Sequence, residues 1–110
     1  MSTKTPDDSD LKVTTAAASR VAELMLEEGD LSLKLRVYVQ GGGCSGLQYG
    51  FAFAETQEED DFAYPAKGFA DQQTIPISVL VDAVSMDYLR GAEIDYVREL
   101  GDERFIIRNP

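Results

Sequence analysis

Leu33-Lys34-Leu35-Arg36-Val37-Tyr38-Val39-Gln40, then Gly41-Gly42-Gly43-Cys44-Ser45-Gly46, then Leu47-Gln48-Tyr49-Gly50-Phe51-Ala52-Phe53-Ala54 is the stretch on which the fold turns. Leu33, Leu35, Val37 and Val39 point one way, and Lys34, Arg36, Tyr38 and Gln40 the other. That period of two predicts a half-buried strand over residues 31–40. Leu47, Tyr49, Phe51 and Phe53 alternate with Gln48, Gly50, Ala52 and Ala54, a second strand that returns antiparallel to the first. Cys44 then sits at or near the connecting loop.

Cys44 is the only cysteine of the chain, and it lies in a run of glycines. Glycine lets a backbone or a ligand approach without a Cβ in the way. Successive N–H groups in such a loop can turn inward toward an anion, a thiolate or inorganic sulfide included. The plain alternative is a small residue packed in a tight turn. The flanking Gly41, Gly42, Gly43 and Gly46 count against packing, but on the residues alone metal, cluster or persulfide chemistry and packing stand nearly even. A phosphate cradle does not fit, because G-x-x-x-x-G-K-[ST] is not met and no lysine follows. A dinucleotide fingerprint needs a parallel βαβ unit, and here strand runs to strand.

Outward from the hairpin, Ala17, Val21, Leu24 and Met25 make an apolar stripe, so a helix is expected over 13–28. Thr14 or Thr15 caps its start and Gly29-Asp30 its end. Glu55 to Asp61 reads as a solvated acidic loop without the spacing of a calcium loop. Phe62 to Asp71, with Pro65 and Gly68, has room for a short strand and a turn. Residues 74–82 read as a strand, with Pro76 marking its start or an edge position. A short helix over 83–89 stops at Gly91, and two more strands are expected over 92–100 and 103–108. Asp82, Asp87, Glu93, Asp95 and Glu99 are scattered as surface residues are. Tyr49, Phe51 and Phe53 read as core or subunit contact. The fold class expected is α+β: a single β-rich domain, mostly antiparallel and sandwich-like, with an N-terminal helix and one short second helix. Residues 1–12 are expected to be a disordered tail and 13–110 the domain.

The 110 residues carry a formal charge of -10. A nucleic-acid binder needs a basic face, and nothing here supplies one, so neither nucleic acid nor an anionic membrane is an expected partner. No stretch is apolar enough to span a bilayer, and the first ten residues have no apolar core to act as a secretory signal. With one cysteine there is no intrachain disulfide framework, so a cytoplasmic protein with a reduced thiol is expected. The chain has no histidine. Cys–His nucleophiles, Ser-His-Asp triads and histidine-based metal sites are excluded.

The chain resembles the A-type iron–sulfur carrier family, in particular its cluster-insertion branch. The matching residues are Leu33 to Val39, Gly41 to Gly46, Gln48 to Phe51, Val81-Asp82, Ser85-Met86, Tyr88-Leu89, Gly91 to Tyr96, Phe105 and Asn109-Pro110. The match covers Val13 to Pro110. The resemblance implies a β-rich domain assembled as a homodimer or higher oligomer. It implies a carrier rather than an enzyme, one that takes an iron–sulfur cluster ([2Fe-2S] or [4Fe-4S]) or iron from a scaffold donor and delivers it to apo-protein acceptors. It makes Cys44 a metal ligand in a cluster shared between subunits, with Gly42, Gly43 and Gly46 giving access and amides.

Three departures accompany the match. The stretch Phe62 to Gln73 diverges from the family, with room for an insertion. Leu47 stands where the family has an aromatic or methionine. The family also continues past Asn-Pro into a tail with a Cys-Gly-Cys pair, and this sequence stops at Pro110. A dimer of these residues brings two thiolates where a cluster normally takes four, an incomplete ligand set. Either the natural chain runs on beyond Pro110, which the close match elsewhere favours, or the protein is a degenerate member. Two other classes remain open: a cluster-free adaptor that keeps the fold and partner surface, and a single-thiol redox or persulfide protein.

Overall fold

The computed structural model describes residues 11–41 and 47–108. The expected tail up to residue 10 and the loop residues Gly42, Gly43, Cys44 and Gly46 lie outside the described residues. In chain order the elements are β1 (Leu11–Val13), α1 (Thr15–Glu28), β2 (Lys34–Gly41), β3 (Leu47–Ala54), β4 (Asp61–Ala70), β5 (Gln73–Asp82), α2 (Ala83–Leu89), β6 (Ala92–Glu99) and β7 (Asp102–Arg108). The α+β, β-rich reading with an N-terminal helix and a short second helix holds.

The strands form two sheets, β1-β6-β7 and β3-β2-β5-β4. The hairpins β2–β3, β4–β5 and β6–β7 are antiparallel, whereas β1–β6 and β2–β5 are parallel. Parallel pairs need long crossovers, which single-strand periodicity does not announce. β1 is a further addition. Leu11 and Lys12, placed in the tail by the sequence reading, pair with Ala92 and Glu93.

Alternation places Leu35 and Val37 of β2 and Ile75, Ile77, Val79 and Val81 of β5 in the core. α1 lies against β4, β5 and β6, so both sheets wall it in. Its buried face is Ala17, Ala18, Val21, Ala22 and Met25. The alanines let the helix come close: a Cβ on Gly68 of β4 would stand 2.2 Å from the Ala18 carbonyl oxygen. Burial of each larger side chain on that face stabilises the fold by roughly 1.5–3 kcal/mol. Gly29 ends the helix at φ 72, with its N–H on the Leu26 carbonyl and that of Asp30 on Met25. This left-handed position is one that glycine takes without a Cβ penalty.

Between β3 and β7 the two sheets meet through aromatic rings. Phe51 stacks on Phe105 at 5.1 Å between centroids, and Phe105 meets Tyr96 edge-on at 4.9 Å. β4 is a full strand rather than a short one, joined to β5 by a tight turn in which Asp71 and Gln72 both have positive φ. Primed turns need that geometry, and Asn-Gly is their usual signal. Pro76 stands where β5 reaches beyond the first residue of β2, so no ladder bond to that strand is lost.

Thr14 joins β1 to α1. Its N–H donates to the Ile94 carbonyl, its Oγ1 accepts the Ala17 N–H at 3.1 Å, and its hydroxyl donates to Asp95 Oδ1 at 2.6 Å. That hydroxyl, then Arg108, hold the Asp95 carboxyl below the usual carboxylate range. A depressed value means the contribution of Asp95 is complete above the ordinary carboxylate pKa and is lost as pH falls through the folded one. Thr14→Ala is expected to cost about 1 kcal/mol at pH 7. The gap from the wild type should narrow on acidification, as urea unfolding at pH 7 and at low pH will measure. An equal gap at both would refute the coupling.

Candidate functional site

The hairpin β2–β3 is paired up to Gly41 and Leu47, and residues 42–46, with Cys44 in the middle, join those two strand ends. The four site residues named from the sequence therefore all fall between the last described pair. The structure defines their frame.

One side of β2 is held by β3 along its length. The other side is held by β5 only at Leu35↔Val79 and Arg36↔Leu80. β5 then ends at Asp82, whose side chain caps α2 by accepting the Ser85 N–H at 3.1 Å. Ser85, 2% exposed, turns its Oγ to the Val39 N–H at 3.0 Å. α2 is anchored beneath by Met86 and Leu89, both fully buried, and the Tyr64 hydroxyl contacts Met86 Sδ at 3.4 Å. A helix start is thus fastened to the strand end that leads into the glycine loop.

At the opposite end of β2, Arg36 grips Asp61 with both guanidinium nitrogens, Nη1 to Oδ1 at 2.7 Å and Nη2 to Oδ2 at 2.8 Å. Asp61 Oδ2 also accepts the Glu58 N–H at 2.7 Å. The Asp61 side chain is fully buried and Arg36 is 22% exposed. The hydrogen bond to Asp61 raises the Arg36 pKa, so the cation is fixed. This corrects the reading of residues 55–61 as a wholly solvated acidic loop: Glu55, Glu58, Glu59 and Asp60 are exposed, but Asp61 ties the loop to β2. Composition showed the charge and hid its partner.

Tyr49, paired with Val39, is 39% exposed, while Phe51 and Phe53 pack against the core. Among the described residues no three of His, Cys, Asp and Glu come together as a metal site. An open groove of about 510 Å³ lies on the pairs Pro65↔Ser78, Ala66↔Ile77 and Lys67↔Pro76. It offers a single lysine and no acid or thiol, so it has no set of groups for catalysis. No helix among the described residues is long and apolar enough to cross a membrane.

A helix walled between two small mixed sheets, with the sole thiol in the stretch that joins two paired strand ends, places the chain in a class of solved folds. Escherichia coli SufA, whose crystal structure is described as involved in biosynthesis of iron–sulfur clusters, superposes with a TM-score of 0.72 at 27% identity, over 92% of this chain and 81% of that one. The solution structure of a protein from Aquifex aeolicus gives a TM-score of 0.68 at 34% identity, over 100% of both chains. The family model described as iron–sulphur cluster biosynthesis matches residues 9–110, and the chain belongs to that family. Its resemblance to A-type carriers of the insertion branch is borne out. Iron-sulfur cluster insertion protein ErpA 2 of Methylococcus capsulatus is 54% identical over 100 residues, 91% of this chain and 71% of that protein.

Proposed function

We propose that this protein is an iron–sulfur carrier: it receives a cluster, or iron, from a scaffold protein and passes it to apo-proteins, with Cys44 as its thiolate ligand. The observation that carries the reading is the family match over residues 9–110 around a glycine loop holding the chain's one cysteine. The insertion-protein name of the Methylococcus relative supports the direction of transfer.

The cluster is cargo, and its transfer is ligand exchange. An acceptor thiolate forms a bond to iron as the Cys44 thiolate leaves it, with no net redox change. These residues give one thiolate per copy, so the other positions of a four-thiolate cluster are filled from outside them: by residues beyond this stretch, by a second copy or by a partner. Labile holding by a single thiolate suits delivery. Gly42, Gly43 and Gly46 carry no Cβ to stand in the way of an incoming ligand, and backbone amides can donate to sulfide. The reading places the protein in the cytoplasm, handling cargo without turnover chemistry.

Anaerobic reconstitution with ferrous iron and sulfide tests it. The wild type should retain iron and acid-labile sulfide and give them up to an apo-ferredoxin. Cys44→Ser should retain at least about tenfold less. Equal retention by both, or none by either once the chain carries the family's Cys-Gly-Cys tail, overturns the carrier reading. A cluster-free adaptor would then be supported by intact folding of the variant, and a thiol-redox protein by fast alkylation of Cys44.

A further inference from the structure

We propose that Ser85 is a positioning residue for the thiol-bearing hairpin: its Oγ replaces the strand partner that β2 loses where β5 turns into α2. It thereby fixes the strand end from which residues 42–46 depart. What the loop carries rests on the function proposed above. The geometry of Ser85 does not.

Beyond Arg36 and Leu80 the register gives β2 no partner on the β5 side. A partly buried backbone N–H there, without a strand partner, needs another acceptor. For Val39 that acceptor is a side chain from 46 residues further along, at 3.0 Å. Ser85 is itself pinned. Its N–H is taken by the Asp82 carboxylate at 3.1 Å, and the neighbouring Met86 is fully buried. Asp82 thus holds Ser85, and Ser85 holds Val39, two residues before the last described residue of β2. Without the Oγ, the Val39 amide is orphaned and the terminal pairs Val39↔Tyr49, Gln40↔Gln48 and Gly41↔Leu47 are secured by β3 alone. Pairs held on one side open more readily than pairs held on two.

The test compares wild type, Ser85→Ala, Ser85→Thr and Thr14→Ala by Cys44 alkylation with iodoacetamide and by stripping of iron with a chelator after reconstitution. Ser85→Ala is expected to speed both about tenfold, the scale of one lost, partly buried hydrogen bond. Ser85→Thr keeps the hydroxyl and should restore the alkylation rate to near that of the wild type. Thr14→Ala costs stability elsewhere and should change neither rate. Ser85→Ala rates equal to those of the wild type overturn the proposal. Alkylation needs no iron, so a protein that binds none even with the Cys-Gly-Cys tail, yet whose thiol quickens in Ser85→Ala, refutes the carrier reading and upholds the role of Ser85. If Ser85→Ala does not fold, hydrogen exchange in the wild type decides. The Val39 amide should be about as protected as that of Val37, and exchange as fast as in an open chain overturns the proposal.

Discussion

Asp61→Ala is expected to destabilise the protein by about 3–5 kcal/mol, the usual result of removing one partner from a buried ion pair. Against a total stability of roughly 5–15 kcal/mol, that loss leaves much of the chain unfolded at moderate temperature. The cause is what remains. Arg36, 22% exposed, loses both of its carboxylate bonds, and the Glu58 N–H loses its acceptor. The doubly substituted Arg36→Met, Asp61→Leu protein should recover most of the loss, because an apolar pair of similar volume needs no compensating charge. Urea unfolding of the two variants is the measurement. A cost for Asp61→Ala below about 1 kcal/mol, the range of exposed pairs, would mean that water replaces the carboxylate.

Gly68→Ala is the second large effect, expected to cost at least about 1–3 kcal/mol from one added methyl group. The new Cβ would meet the Ala18 carbonyl oxygen at 2.2 Å, its carbon at 2.6 Å and Ser19 Cα at 2.9 Å. All three are main-chain atoms of a helix, so no side chain can swing aside, and α1 must move off β4. The Phe69 N–H to Ser19 Oγ bond, 2.9 Å, spans the same contact and would lengthen with it. Gly41→Ala is the control, since its Cβ would meet nothing within 4 Å. Thermal unfolding of both should separate them clearly, and equal midpoints would refute the close approach.

The elements with a clean period were legible in the sequence. β2 and β3 announced themselves by alternation, and α1 by its stripe and its Thr14 and Gly29 ends. β4 was underread because Pro65, Lys67 and Gly68 are poor strand formers. They are tolerated on this strand because one of its edges is free and because Gly68 makes room for the helix. β1 is too short to show a period, and its existence depends on β6. Neither parallel pairing is a local property. The sequence names a candidate site, a single thiol among glycines in a chain without histidine, and its residues lie outside those described. Its support was not legible. Ser85 and Asp61 are ordinary polar residues in sequence, and each acquires its role from a residue far along the chain.

The parallel pair of β1 with β6 joins Leu11 to Ala92. A topology closed by such distant partners has a high contact order, and chains of that kind fold in milliseconds to seconds rather than microseconds. During synthesis the consequence is one of sequence in time. α1 leaves the ribosome early, while β4 and β5, its first wall, and β6, its second, follow much later. Until β6 arrives, the face of α1 that the finished protein buries is a surface that the nascent chain offers to its neighbours.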